Sequence, residues 1–234
     1  DLALATLKEV RHVVLAGAKF PVSFFAYPGK PSVLVPAECQ STQLAAVHED
    51  VAAALEAVAA ELDASATPPA LLATAKRTEL PSGQVTPTGI GAVLGALLPE
   101  DAIVVDESVS TGRGLFPFTA NAPPHDWLNN MGGSIGFGLP VAVGAAIACP
   151  DRKVISLEGD GSGMYTLQAL WTMARESLNV TVVVLANQSY AILKGEFANV
   201  GAGAPGQKAT DMMTLDRPPL DWVALAKGHG IEAA

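Results

Sequence analysis

Charge is scarce in this sequence. Only 16% of its 234 residues are Asp, Glu, Lys or Arg, while 50% are hydrophobic and the mean hydropathy is +0.33; ordinary soluble domains carry about 25% charged residues. Such a shortage points to surface that other protein covers. No Lys/Arg cluster stands out and the net charge is −9, so neither nucleic acid nor an anionic membrane is an expected partner. Long apolar runs are also missing. The longest, such as 137–149, contain Gly and Pro and fall short of the ~20 residues that a membrane span needs. No signal-peptide pattern opens the chain. Cysteine is nearly absent: Cys39 and Cys149 offer neither a disulfide framework nor metal-ligand spacing, and a reducing cytoplasm is the expected compartment. There are no repeats and no low-complexity segments. The first residue is Asp1 and the last five, 230–234, show no natural stop, so the chain reads as a fragment.

What is present is an α/β pattern. At roughly 150 residues per domain, the length allows one large domain or one and a half small ones. Residues 1–62 read as the end of an α/β unit. Strands are expected at 12–17 and 32–36, and a helix over 43–62, where Leu44, Val47, Val51, Leu55, Val58 and Leu62 recur at three and four residues. Strand and helix together would close an open sheet. Residues 63–86 are rich in Pro and small residues and read as an interdomain linker, or alternatively as a surface loop. From Thr86-Pro87-Thr88, a helix start with proline in its first turn, strand and helix signals alternate. The apolar runs 103–105, 154–157 and 180–185 are separated by helical patterns over 139–148 and 167–178. Uninterrupted β-branched runs between helices predict a doubly wound parallel sheet covered on both faces. Such domains bind ligands at the carboxyl ends of their strands.

The chemistry concentrates in Leu157-Glu158-Gly159-Asp160-Gly161-Ser162-Gly163, after one strand and before a helix. Glycines here free backbone N–H groups at a helix start, which favours an anion. A dinucleotide fingerprint would need G-x-G-x-x-G, and Asp160 would then aim a carboxylate at a pyrophosphate. Two anions repel at that range unless a divalent cation lies between them. The pattern therefore predicts a metal-bridged diphosphate. A right-handed βαβ unit brings Asn187, 27 residues on, to the same sheet edge. Asp160, Asn187 and the carbonyl of Ser189 form a donor set that suits Mg²⁺. The competing role for Asp160 is that of a helix N-cap. Of the four histidines, His12 and His48 are expected on the surface of the first unit, and His125 precedes a strand at the presumed ligand edge.

These residues carry a resemblance. G-D-G-S followed by N-x-x-Y is similar to the diphosphate-binding motif of thiamine diphosphate (ThDP) enzymes. Gly132-Gly133-Ser134-Ile135-Gly136-Phe137-Gly138-Leu139-Pro140 resembles that family's turn beneath the aminopyrimidine. Tyr165-Thr166-Leu167-Gln168-Ala169-Leu170-Trp171-Thr172 is similar to the benzoylformate decarboxylase and acetolactate synthase branch. Motif-level likeness covers 87–234, the expected ThDP diphosphate-binding domain, cut short at its C-terminus. Residues 1–62 look like a remnant of the central domain, with Phe24-Phe25-Ala26-Tyr27-Pro28-Gly29-Lys30-Pro31 as the shared phrase. The resemblance implies Mg²⁺ on Asp160, Asn187 and the Ser189 carbonyl, and the diphosphate on Gly161, Ser162 and Ser110. Tyr165 and Tyr190 would flank it. The Gly133 carbonyl would accept from the cofactor's 4′-amino group, and Ile135 would bend the cofactor into its V shape.

There are departures. Gln188-Ser189 stands where the family often has Asn or Asp and then Gly, and Val109 where a hydroxyl residue is frequent. The glutamate that activates the cofactor belongs to a pyrimidine-binding domain, which does not precede residue 1. In the family it comes from a partner subunit, so a homodimer or homotetramer is implied for the intact protein and inactivity for this chain alone. The implied reaction is decarboxylation or carboligation of a 2-oxo acid, with a flavin left open. Two alternatives stand beside it: a non-catalytic ThDP- or nucleotide-binding module, and one chain of a split enzyme.

Overall fold

The computed structural model describes residues 2–64, 67–68 and 77–234. The chain forms two compact units, Asp1–Leu72 and Ala73–Ala234. Of the expected linker, 65–66 and 69–76 lie outside the described residues. Arg77 and Thr78 belong to the second unit, where they donate to the carbonyls of Ala96 (2.7 Å) and Ala92 (3.0 Å).

The first unit contains α1 (Leu2–Leu7), β1 (His12–Ala16), β2 (Gln40–Ala45) and α2 (Val51–Glu61). Two expectations need correction here. Residues 32–36 form no strand, and Val33 makes only an isolated antiparallel bridge to Val22. The partner of β1 is instead β2, which runs parallel to it from His12↔Gln40 to Leu15↔Gln43. The helix starts at Val51 rather than residue 43. Asp50 caps it, its side chain accepting from Ala53 N at 3.0 Å, and Glu49 accepts from Ala46 N at 2.6 Å in the turn before. The spacing of Leu44 and Val47 matches a helix by coincidence: backbone groups in 40–45 are committed to the ladder with β1.

The second unit has a four-stranded sheet in the order β4-β3-β5-β6, every pair parallel. Its strands are β3 (Ile103–Glu107), β4 (Asp126–Asn129), β5 (Val154–Gly159) and β6 (Val180–Leu185). The helices are α3 (Pro87–Leu97), α4 (Gly138–Ala148), α5 (Asp160–Gly163), α6 (Ala169–Arg175), α7 (Ala191–Asn199), α8 (Gln207–Met212) and α9 (Trp222–Gly228). Thr86 caps α3 through its hydroxyl, which accepts from Gly89 N at 3.0 Å, and Pro87 opens the first turn. Alternation along β3 sets the two faces. Ile103 and Val105 pack with Leu139, Ala142 and Leu170 of α4 and α6. Val104 points the other way, against Leu94 of α3, Leu115 and Leu185. Both faces are thus covered, as the continuous apolar runs require.

One helix is shorter than its pattern predicts. Over 167–178 only Ala169–Arg175 is helical. The residues before it turn by Tyr165 N→Ser162 O and Thr166 N→Gly163 O bonds, and Ser177 takes a positive φ of 50° behind it. Among the described residues no helix is long and apolar enough to cross a membrane.

Candidate functional site

Because β3, β5 and β6 run parallel, the segments that follow them emerge at one edge of the sheet. There they line an open cleft. The segment after β3 contributes Ser110, that after β5 Asp160, Gly161, Ser162 and Tyr165, and that after β6 Asn187, Ser189 and Tyr190. Ile135 enters from the turn before α4. Nine of the ten residues singled out from the sequence therefore line one cleft. The tenth, Gly133, is not in the lining. It sits two residues before Ile135 with φ 71°, and its carbonyl accepts from Ile135 N at 3.1 Å.

Asp160 is only 3% exposed. It does not act as an N-cap, a role that falls to Gly159. Its Oδ1 accepts from Gly161 N (2.9 Å) and its Oδ2 from Gln188 N (2.6 Å), which ties the end of β5 to the segment after β6. Asn187 makes the next link: Nδ2 donates to the hydroxyls of Ser110 (3.2 Å) and Thr111 (3.0 Å), while Oδ1 accepts from Ser189 N (3.0 Å). Ser189 Oγ donates to Met213 O, and Tyr190 N to the same carbonyl. The turn that lets this happen has its left-handed residue at Gln188 (φ 54°), not at Ser189. A second left-handed residue, Val109 (φ 42°), faces the cleft from the loop after β3. A β-branched side chain with φ > 0 is an outlier, and such strain collects at functional sites.

The cleft has two kinds of lining. Asp160, Gly161, Ser162, Asn187, Ser189 and Ser110 supply polar groups. Ile135, Tyr165, Tyr190, Ile192 and Leu193 add apolar and aromatic surface, with the Tyr190 ring against Gly161.

Behind the cleft lies a feature that the motifs did not reveal. Glu107 ends β3, Glu158 is the last residue but one of β5, and the two are paired in register, both with less than 2% exposure. The Glu107 carboxylate accepts from Gly136 N (2.7 Å), Phe137 N (3.3 Å) and Gly138 N (2.6 Å), with Asn130 Nδ2 at 3.5 Å. No donor among the described residues reaches either Glu158 oxygen, and the proton that Glu158 keeps bonds to the Glu107 carboxylate. Burial, reinforced by the neighbouring Glu107 charge, pushes the Glu158 pKa up to about 9. The available signal was two acidic residues closing two buried strands. Gly138 lets the pair approach: a Cβ there would stand 2.5 Å from Glu158 Oε2 and 2.9 Å from Glu107 Oε2.

His125 proves to lie at the opposite edge. It precedes β4, whose first residue pairs with the first of β3, so it belongs to the amino end of the sheet. Its ring contacts Pro123 O and Thr119 Oγ1 instead.

Residues 112–234 match the family described as thiamine pyrophosphate enzyme, C-terminal TPP binding domain; thiamine pyrophosphate and thiamine diphosphate are the same molecule. The chain belongs to this family. It is 52% identical over 232 residues to the acetolactate synthase large subunit-like protein IlvX of Mycobacterium tuberculosis, covering 99% of this chain and 44% of that one. It is 37% identical over 185 residues to a benzoylformate decarboxylase of Pseudomonas aeruginosa, covering 79% and 34%. Among solved structures, the ThDP-dependent 4-hydroxybenzoylformate decarboxylase of Rhodococcus jostii superposes with a TM-score of 0.71 at 27% identity, over 98% of this chain and 44% of that one. The chain thus spans less than half the length of these relatives.

Proposed function

We propose that the second unit binds ThDP with its diphosphate bridged by Mg²⁺ to Asp160, Asn187 and the Ser189 carbonyl. One observation carries this: the buried carboxylate of Asp160, Asn187 and Ser189, from the segments after two neighbouring strands, line one cleft together with Gly161 and Ser162. A single carboxylate with neutral oxygens makes no all-protein metal cage, and no cluster of three His, Cys, Asp or Glu occurs among the described residues. It suits Mg²⁺, which is usually held by one or two carboxylates together with phosphate oxygens. The donor set therefore fits the cofactor.

Gly161, Ser162 and Ser110 hold the diphosphate in this reading, and Tyr165 and Tyr190 flank it. The Gly133 carbonyl accepts from the 4′-amino group, and Ile135 supports the bend between the rings. The cofactor, when bound, supplies an electron sink for the carbanion that develops at a 2-oxo carbon. This chain's residues anchor and orient it. The intact protein is then a decarboxylase or carboligase acting on a 2-oxo acid, with a partner subunit's pyrimidine-binding domain completing the site in a homodimer or homotetramer. Residues 1–62 belong to its central domain and 87–234 to the cofactor domain; the linker expected over 63–86 gives way to the cofactor domain by Arg77 and Thr78, which bond to α3. The free thiols Cys39 and Cys149 agree with a cytoplasmic setting.

Calorimetric titration of ThDP into the chain, with Mg²⁺ and then with EDTA, tests the site. Heat that requires Mg²⁺ and disappears in Asp160→Ala supports it. Binding that is indifferent to EDTA, or no binding at all, overturns it.

A further inference from the structure

The polar residues of the cleft are tied to the segments beside them: Asp160 accepts from Gln188 N, and Asn187 donates to Ser110 and Thr111. Ile135 is held differently. Ile135 is 40% exposed and sits on a turn with left-handed glycines at 132, 133 and 136, a stretch with little intrinsic preference for one conformation. What holds it comes from behind. Glu107 takes the three consecutive amides that follow Ile135, at Gly136, Phe137 and Gly138. From the other side, Thr166 Oγ1 donates to Gly136 O at 2.9 Å. Tyr165 closes the gap: a Cβ on Gly136 would stand 2.7 Å from Tyr165 Cβ. A buried carboxylate that accepts three amides is a strong anchor, and removing it leaves those N–H groups unpaired.

We propose that Glu107 is a positioning residue for the ring half of the cofactor: it fixes the 133–138 turn so that Ile135 presents a rigid apolar support, without touching the ligand itself. This rests on the reading of the cleft as a ThDP site, and deepens it by dividing the work. The diphosphate half depends on Asp160 and Asn187, and the ring half on Glu107 acting through the turn.

The division is testable with two probes, ThDP and inorganic pyrophosphate, each titrated with Mg²⁺ into the full chain. The wild type binds ThDP more tightly than pyrophosphate. Glu107→Gln lowers ThDP affinity about tenfold and leaves pyrophosphate affinity within about twofold. Amide exchange speeds up at 136–138 but not in β5. Thr166→Val loosens the same turn without disturbing a buried charge, so it carries the test should Glu107→Gln fail to fold; its expected loss is about fivefold for ThDP alone. A general loss of structure would move both probes together. Equal losses for the two ligands, no loss for ThDP in either variant, or a wild type that does not prefer ThDP overturns the inference while the diphosphate site stands. A wild type that binds neither probe overturns the site reading and the inference with it.

Discussion

The two edges of the second unit's sheet are built on opposite principles. At the amino edge, polar groups are conventionally paired, several of them half-buried. Arg152 donates to Asp101 O (2.5 Å), Ala102 O (3.3 Å) and Asp126 (2.6 Å), and the His125 ring lies against Thr119 and Pro123 O. At the carboxyl edge, Glu107, Glu158 and Asp160 are buried together, no donor among the described residues reaches Glu158, and Val109 and Gln188 sit at positive φ. Burying three carboxyl groups side by side is unfavourable unless each is anchored or protonated. One edge is arranged for stability, and the other accepts strain and desolvation to shape a cleft. The difference marks the functional edge before any ligand is considered.

The sharpest break in that comparison is Asp160→Ala. It removes the buried carboxylate that both faces the cleft and joins Gly161 to Gln188. Affinity for Mg²⁺ with pyrophosphate should fall at least about 100-fold, because a charge-assisted contact and the loop it braces are lost together. Calorimetry reads this directly, and an unchanged affinity would detach Asp160 from the site.

Next comes the pH dependence of Glu158. Its folded-state pKa lies above the ordinary carboxyl value of 4.5, at about 9. Between those values the folded chain holds a proton that the unfolded chain releases, so stability falls as pH rises through that window. It is fully present only below about pH 4.5 as far as this group is concerned. Glu158→Gln removes the titration. The melting temperature of the variant should lose its decline between pH 5 and 9 and exceed that of the wild type at pH 8 by several degrees, roughly 5 °C. Parallel wild-type and variant curves would show that Glu158 does not titrate as its burial requires.

At the amino edge the expectation inverts. Arg152→Ala should leave pyrophosphate and ThDP affinity unchanged and lower the melting temperature by about 2 °C, since exposed charged contacts contribute little. A loss of ligand affinity in this variant would mean that the two edges are coupled through the strands.

Much of the carboxyl edge was legible in the sequence because its signals are local. The runs 103–105, 154–157 and 180–185 are too apolar and β-branched to be anything but buried strands, Thr86-Pro87 announces a helix, and the Gly159–Gly163 segment states its chemistry within five residues. The illegible parts depend on partners distant in the chain. Strand β2 is polar over Gln40-Ser41-Thr42-Gln43 and becomes a strand only beside β1. His125 could be assigned an edge only once the register of β4 against β3 was known. Glu107 and Glu158 each look like an ordinary strand-end acid, and their pairing is a fact of strand order rather than of either motif. The left-handed residue of the Asn187 turn falls on Gln188 because Asp160, across the cleft, holds its amide.

The smallest expected effect concerns the strain itself. Val109 holds φ 42° in a loop fixed on both sides: Ser108 donates backbone N–H and hydroxyl to Asp106, and Ser110 and Thr111 receive the Asn187 amide. A left-handed conformation costs a β-branched residue about 1–2 kcal/mol, whereas Asn accepts it readily. The valine side chain is half-buried against the cleft, so Asn gives back part of that gain through lost apolar contact. Val109→Asn should therefore raise stability by only about 0.5–1 kcal/mol, measured by urea unfolding. Arg152→Ala lowers stability from the paired edge; this variant should raise it from the strained one. A destabilised Val109→Asn would mean that the loop tolerates its backbone because the isopropyl group packs well, and that the cleft is held open by contact rather than by strain.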